Sequence, residues 1–131
     1  MGKEKLIKAT KEALLARAEQ SRNDKPQYRV YNCEALGMQL NLKRLSIPKI
    51  CNILDMTEDD SMSSAMETNC QLIYESVPMF QDKELQEAYE CVEPTDIVAK
   101  VLEDNMGEIE KMCRFILSGY GMGDMIEKVK N

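Results

Sequence analysis

Residues 28–54 read YRVYNCEALGMQLNLKRLSIPKICNIL, and their periodicity changes halfway. Tyr28, Val30 and Asn32 alternate with Arg29, Tyr31 and Cys33; after Glu34-Ala35-Leu36-Gly37, Met38, Leu40 and Leu42 alternate with Gln39, Asn41 and Lys43. Two period-two runs joined by a short Gly-containing loop predict a β-hairpin. A lone hairpin is marginal in water, so its Met38-Leu40-Leu42 face is expected to pack on helices or a partner strand. From Ser46 the period is helical. Ser46 can cap a helix that tolerates Pro48 in its first turn and puts Ile47, Ile50, Cys51 and Leu54 on one face.

Downstream of this switch the helical period persists. Met62, Met66, Cys70, Ile73, Tyr74 and Val77 mark one stripe of a longer helix that ends before Pro78. Asp82 is placed to cap a short helix through Tyr89. Pro94 opens another at its first position, with Asp96 near the positive end and Ile97, Val98, Val101 and Leu102 on the buried face. Asn105 and Glu108 approximate a capping box for a last helix carrying Ile109, Met112, Cys113, Ile116 and Leu117, stopped by Gly119. Upstream, residues 3–22 are rich in Ala, Lys and Glu and form a helix by propensity more than by pattern, with Pro26 as the stop. The expected fold is therefore mainly α, a compact helical domain of about five helices with a small N-terminal β-hairpin. Its parts are an N-terminal helix and linker (1–26), the hairpin and helical core (27–119), and a flexible C-terminal tail (120–131).

At 131 residues the chain can bury roughly two-thirds of its unfolded surface, and 44% hydrophobic content supports a real core. Aromatics are scarce and Met numbers ten, a residue that fills irregular gaps and adapts at binding surfaces. Charge is segregated. Residues 55–110 carry sixteen Asp/Glu against Lys83 and Lys100, whereas residues 1–29 carry eight Lys/Arg against four acids. An acidic body repels nucleic acid and favours basic protein partners. The basic arm has no aromatic interleaving and no recognisable nucleic-acid module.

Five cysteines, an odd number spaced about twenty apart with no C-x-x-C pair and no histidine in the chain, read as reduced thiols rather than metal ligands. The start MGKEKLIKATKE lacks an apolar core for a secretory signal, and the longest uncharged run, Phe115 to Gly123, is too short to cross a membrane. A soluble, cytoplasmic protein is expected. Asp55 to Asp60 suggests a calcium loop but has Asp60 where the turn needs Gly and Met66 where a bidentate Glu belongs. Gly119-Tyr120-Gly121-Met122-Gly123 follows a helix rather than a strand and is no phosphate cradle. Without histidine, a Ser or Cys nucleophile lacks its usual base, and adjacent acids such as Glu103 and Asp104 point apart on a helix. No enzyme and no cofactor is expected.

Residues 71–102, QLIYESVPMFQDKELQEAYECVEPTDIVAKVL, resemble the XkdN-like phage tail assembly chaperones of long-tailed phages and tail-like prophage elements. The resemblance rests on Leu72-Ile73-Tyr74-Glu75-Ser76 before Pro78, on Lys83 to Tyr89, and on Glu93-Pro94-Thr95-Asp96-Ile97-Val98. Leu40 to Ser46, leading from strand to helix, fits the same layout, so about residues 28–120 are covered. The resemblance implies a helical, non-enzymatic protein that binds the tape measure protein, keeps it soluble and helps recruit tail tube subunits, and is absent from the mature particle. It also implies that the chain corresponds to the shorter of two forms that many members make by frameshifting. Partners would be the tape measure and tail tube proteins, with self-association possible in principle and neither nucleic acid nor membrane involved. Met79 and Phe80, after a helix stop, and the tail stripe Met122, Met125, Ile126 and Val129 are the expected contacts. The competing reading is an acidic regulator that mimics nucleic acid and inhibits a basic DNA-binding partner.

Overall fold

The computed structural model describes residues 6–23 and 29–122. Among them are six α-helices and one two-stranded antiparallel sheet, with five of the helices following the hairpin. The linker before Arg29 and the tail residues Met125, Ile126 and Val129 lie outside the described residues.

The first helix, α1 (Lys11–Asn23), begins later than propensity suggested. Thr10 fixes the start: its Oγ1 accepts from the Ala13 N–H at 3.1 Å, and its carbonyl accepts from Leu14 N. None of the side chains described in α1 is buried.

The hairpin forms where alternation predicts it. β1 (Arg29–Cys33) pairs with β2 (Met38–Leu42), Tyr31 opposite Leu40 and Arg29 opposite Leu42. Gly37 closes the loop at φ 64°, a left-handed conformation suited to glycine, with its N–H donating to the Glu34 carbonyl. Tyr31, Cys33, Leu40 and Leu42 face the core. Met38 shares their face yet is 62% exposed, while Cys33 opposite it is buried.

Ser46 caps α2 (Ile47–Leu54) through its Oγ and the Lys49 N–H, as expected. The buried face differs from the expected one: Ile50 and Ile53 are buried, Leu54 is half-buried, and Ile47 and Cys51 are exposed. Helical side chains lean toward the N-terminus, so Ile47 in the first turn projects past the helix end and has nothing to pack on. In α3 (Met62–Ser76), capped by Ser61, the buried side is rotated relative to the apolar stripe. Thr68, Leu72, Ile73 and Ser76 are buried, Met66, Cys70 and Tyr74 half-buried, and Met62 68% exposed. Thr68 is tolerated inside because its hydroxyl meets that of Thr57 at 2.7 Å.

After Val77 a 3₁₀ turn (Pro78–Gln81) inserts Phe80 into the core. Gln86 Nε2 donates to the Phe80 carbonyl at 2.8 Å and Gln81 Nε2 to the Tyr74 carbonyl at 3.1 Å, bracing the turn from both sides. Asp82 caps α4 (Lys83–Ala88), and α5 (Asp96–Val101) begins two residues later than Pro94 suggested. Asp96 itself ties back this entry: its Oδ2 accepts from Val92 N and Glu93 N. The expected α5 face, Ile97, Val98, Val101 and Leu102, is buried throughout.

In α6 (Met106–Ser118) all five expected apolar residues are buried, packed chiefly on α3. The capping box is only half made. Asn105 Oδ1 accepts from the Glu108 N–H at 3.0 Å, but the Glu108 carboxylate turns away to the hairpin, accepting from the Tyr31 hydroxyl and from the Ala35 N–H at 3.0 Å. Glu108 is 7% exposed. Burial would raise its pKa, but the Tyr31 and Ala35 hydrogen bonds outweigh it and hold the carboxyl below its usual range. Tyr31 responds in the opposite sense, its phenol pushed up by burial and by Glu108.

At the other end of α6, Gly119 is the C-cap with an ordinary φ of −68°. It needs to be small, not left-handed: a Cβ there would collide with the Arg29 guanidinium. Arg29 stacks on Phe115, 4.1 Å from the ring centre, and donates to the Phe115 carbonyl at 2.9 Å. Arg44 lies over Tyr120, whose hydroxyl accepts from Leu45 N at 2.6 Å. The two cations thus sit at the negative end of the α6 dipole and pin the hairpin to it.

Candidate partner-binding surfaces

Two apolar grooves open on the surface of the helical body. The first, about 940 Å³, lies between β2, the 3₁₀ turn and α4, with Leu40, Pro78, Met79, Leu85 and Ala88 as its apolar lining and Asp82 and Glu84 as charged members. Met79 is 62% exposed here, so it is available to a partner. Its neighbour Phe80 is 1% exposed and belongs to the core; it offers no surface, and its expected contact role is replaced by a structural one.

The second groove, about 720 Å³, runs between α3 and α6 from the loop before α3 to the end of the described chain. Met62, Met66, Met106 and Met122 line it, with Leu54, Ala65 and Leu117 between them. Met122, an expected contact residue, closes one end; its N–H donates to the Leu117 carbonyl, which holds it against α6. The expected contacts Met125, Ile126 and Val129 lie outside the described residues. Two helix faces create this groove because α3 is turned so that Thr68, Leu72 and Ser76 take the interior, leaving Met62 and Met66 beside the α6 surface. Met62, Met66 and Met106 were not among the expected contacts. The i, i+4 spacing of Met62 and Met66 gave them to the core, and the clue that could have moved them was the Thr/Ser content of the opposing face.

Charge surrounds the methionines. Asp60, Glu110 and Arg114 line the groove, and Arg114 Nη2 donates to Glu110 Oε1 one turn away on α6 at 2.9 Å. The buried Nε of Arg114 has no hydrogen-bond partner among the described residues. Cys113 forms part of the wall but is buried, donates to the Asn69 carbonyl at 3.3 Å, and has its thiol pushed up by burial, which keeps it unreactive. Cys70 is shifted the same way for the same reason. The five cysteines are free thiols, and no cluster of potential metal ligands occurs among the described residues. No helix among the described residues is long and apolar enough to cross a membrane.

These arrangements can do one thing well, which is to grip an apolar segment of another polypeptide without fixing its sequence. Methionine side chains re-pack around different partners at low cost, and the acidic rim stays hydrated when they do. No curated protein and no solved structure matches the chain. A family model described as Phage XkdN-like tail assembly chaperone protein matches residues 12–130. The match extends beyond the stretch from which the resemblance was read, taking in nearly all of α1 and the segment after Met122. A hairpin followed by five helices among the described residues and a family match over nearly the whole chain identify it as a member of the XkdN-like phage tail assembly chaperone family.

Proposed function

We propose that the chain acts, without catalysis, by holding the tape measure protein soluble during tail assembly and by helping to bring tail tube subunits to it. The observation that carries this reading is the methionine-lined groove between α3 and α6. A long apolar helix would lay one face against Met62, Met66, Met106 and Met122 while the acidic surface of residues 55–110 keeps the complex in solution. Met79, in the groove beside β2, supplies a second apolar contact for tube recruitment. The site of action is the cytoplasm of the host cell, and the protein is left out of the mature particle.

Co-expression with the tape measure protein of the same genome, followed by pull-down at low and high salt, tests the reading. The expected result is a soluble tape measure retained at both salt concentrations, since apolar burial is not screened. Retention that disappears at high salt, or a tape measure that stays insoluble, overturns it.

A further inference from the structure

Among the described residues, α1 is the one helix of eight residues or more with no buried side chain. α1 is thirteen residues long, a length at which an isolated helix is marginal in water and usually depends on a packed face. Leu14 and Leu15 sit side by side on it, 60% and 57% exposed, and Leu6 and Ile7 just before it are more exposed still. The described stretch 6–23 carries four Lys/Arg against two Glu. The groove between α3 and α6 has the complementary properties. It is apolar at its floor; of its charged lining Glu110 is paired with Arg114, which leaves Asp60, and the exposed Glu103 and Asp104 lead into Met106 at one end.

The dimensions also agree. α1 measures about 20 Å at 1.5 Å per residue, and the α6 wall from Met106 to Leu117 about 16 Å on the same scale. An extended segment would find no strand edge in the α3 and α6 walls to pair with, whereas a helix brings its own backbone hydrogen bonds.

We infer that α1 of one copy of this chain docks, Leu14 and Leu15 downward, in the methionine groove of a second copy. The geometry favours another copy over self-docking. From Asn23, which ends α1, to Arg29, which opens β1, the chain takes six Cα steps and reaches at most about 22 Å. Arg29 is clamped on Phe115, and by helical periodicity Phe115 lies on the opposite side of α6 from Met106, Cys113 and Leu117. Docking between copies links them through a head-to-tail contact and covers the groove until a client helix displaces α1. The inference extends the proposed use of the groove and rests on it being a helix site.

Sedimentation of the full chain over a concentration series tests it, with two variants whose changes fall at exposed positions. L14D/L15D removes the arm's apolar face and leaves the groove intact; Ala65→Trp fills the groove and leaves the arm intact. The wild type should associate with increasing concentration, and each variant alone should associate at least about tenfold more weakly. An equimolar mixture of the two variants should form a heterodimer, because one supplies the groove and the other the arm. A wild type that stays monomeric overturns the inference, as does association that both variants retain, or a mixture that fails to pair. Self-docking would appear as a monomeric wild type with protected α1 amides. The L14D/L15D variant should still retain the tape measure in the pull-down, so loss of self-association and loss of client binding are read separately.

Discussion

The Glu108 carboxylate is the charge most deeply committed to the fold. Among its described contacts it accepts from Tyr31 on β1 and from Ala35 in the hairpin loop, so a single side chain on α6 fixes both the strand and the turn. Its folded-state pKa is depressed, so it stabilises the fold fully above the unfolded carboxyl value near 4.5 and progressively less as pH falls through the lower folded value. Glu108→Gln presents an NH₂ to one of two donors and leaves that donor buried without an acceptor, a cost of about 2 kcal/mol at neutral pH. Chemical denaturation of wild type and variant at a series of pH values should show this gap at pH 7 and a narrowing gap in the acid range. A gap that is constant with pH would mean that Glu108 is held neutral. Sequence placed Glu108 at the right helix position but gave it the wrong partner, because a capping box is local and its own amide is visible in sequence. A tyrosine seventy-seven residues away is not.

At the scale of elements, sequence made legible the hairpin and the order of the six described α-helices, and it missed the 3₁₀ turn at Pro78–Gln81 and rotation about helix axes. Hairpin, Ser46 cap, Asp82 cap and the buried faces of α5 and α6 follow from alternation and capping chemistry, which act over a few residues. The faces of α2 and α3 depend on which neighbours cover them. Ile47 is apolar but sits at an uncovered helix start; Thr68 and Ser76 are polar but sit where α3 meets the rest of the core. Met62 was given to the core for the same reason, since a stripe identifies an apolar face and not what covers it. Paired truncations separate the two readings of α2. Ile53→Ala, at a 3% exposed position, should cost about 3 kcal/mol, and Ile47→Ala, 72% exposed, less than about 0.5 kcal/mol. Equal losses in denaturant midpoints would place Ile47 in the core after all.

For the whole molecule, the division that matters is between a packed body and a basic helical arm none of whose described side chains is buried. Among the described residues, the buried apolar ones run from Tyr31 to Leu117, and none comes from α1. Stability of the body is therefore expected to owe little to the arm, while the inferred docking would give the arm's helicity the packed face that a helix of this length usually needs. A chain lacking residues 1–23 should melt within about 2 °C of the full chain at dilution, where self-association is absent, since a loss of contacts worth well under 1 kcal/mol moves the midpoint by no more. At high protein concentration the full chain should gain stability that the truncated chain does not, because docking of α1 is coupled to folding by mass action. Calorimetry of both chains across a concentration series reads the two effects at once. A truncated body that melts far lower at every concentration would mean that α1 packs on its own chain, and the arm would then belong to the fold rather than to a neighbour.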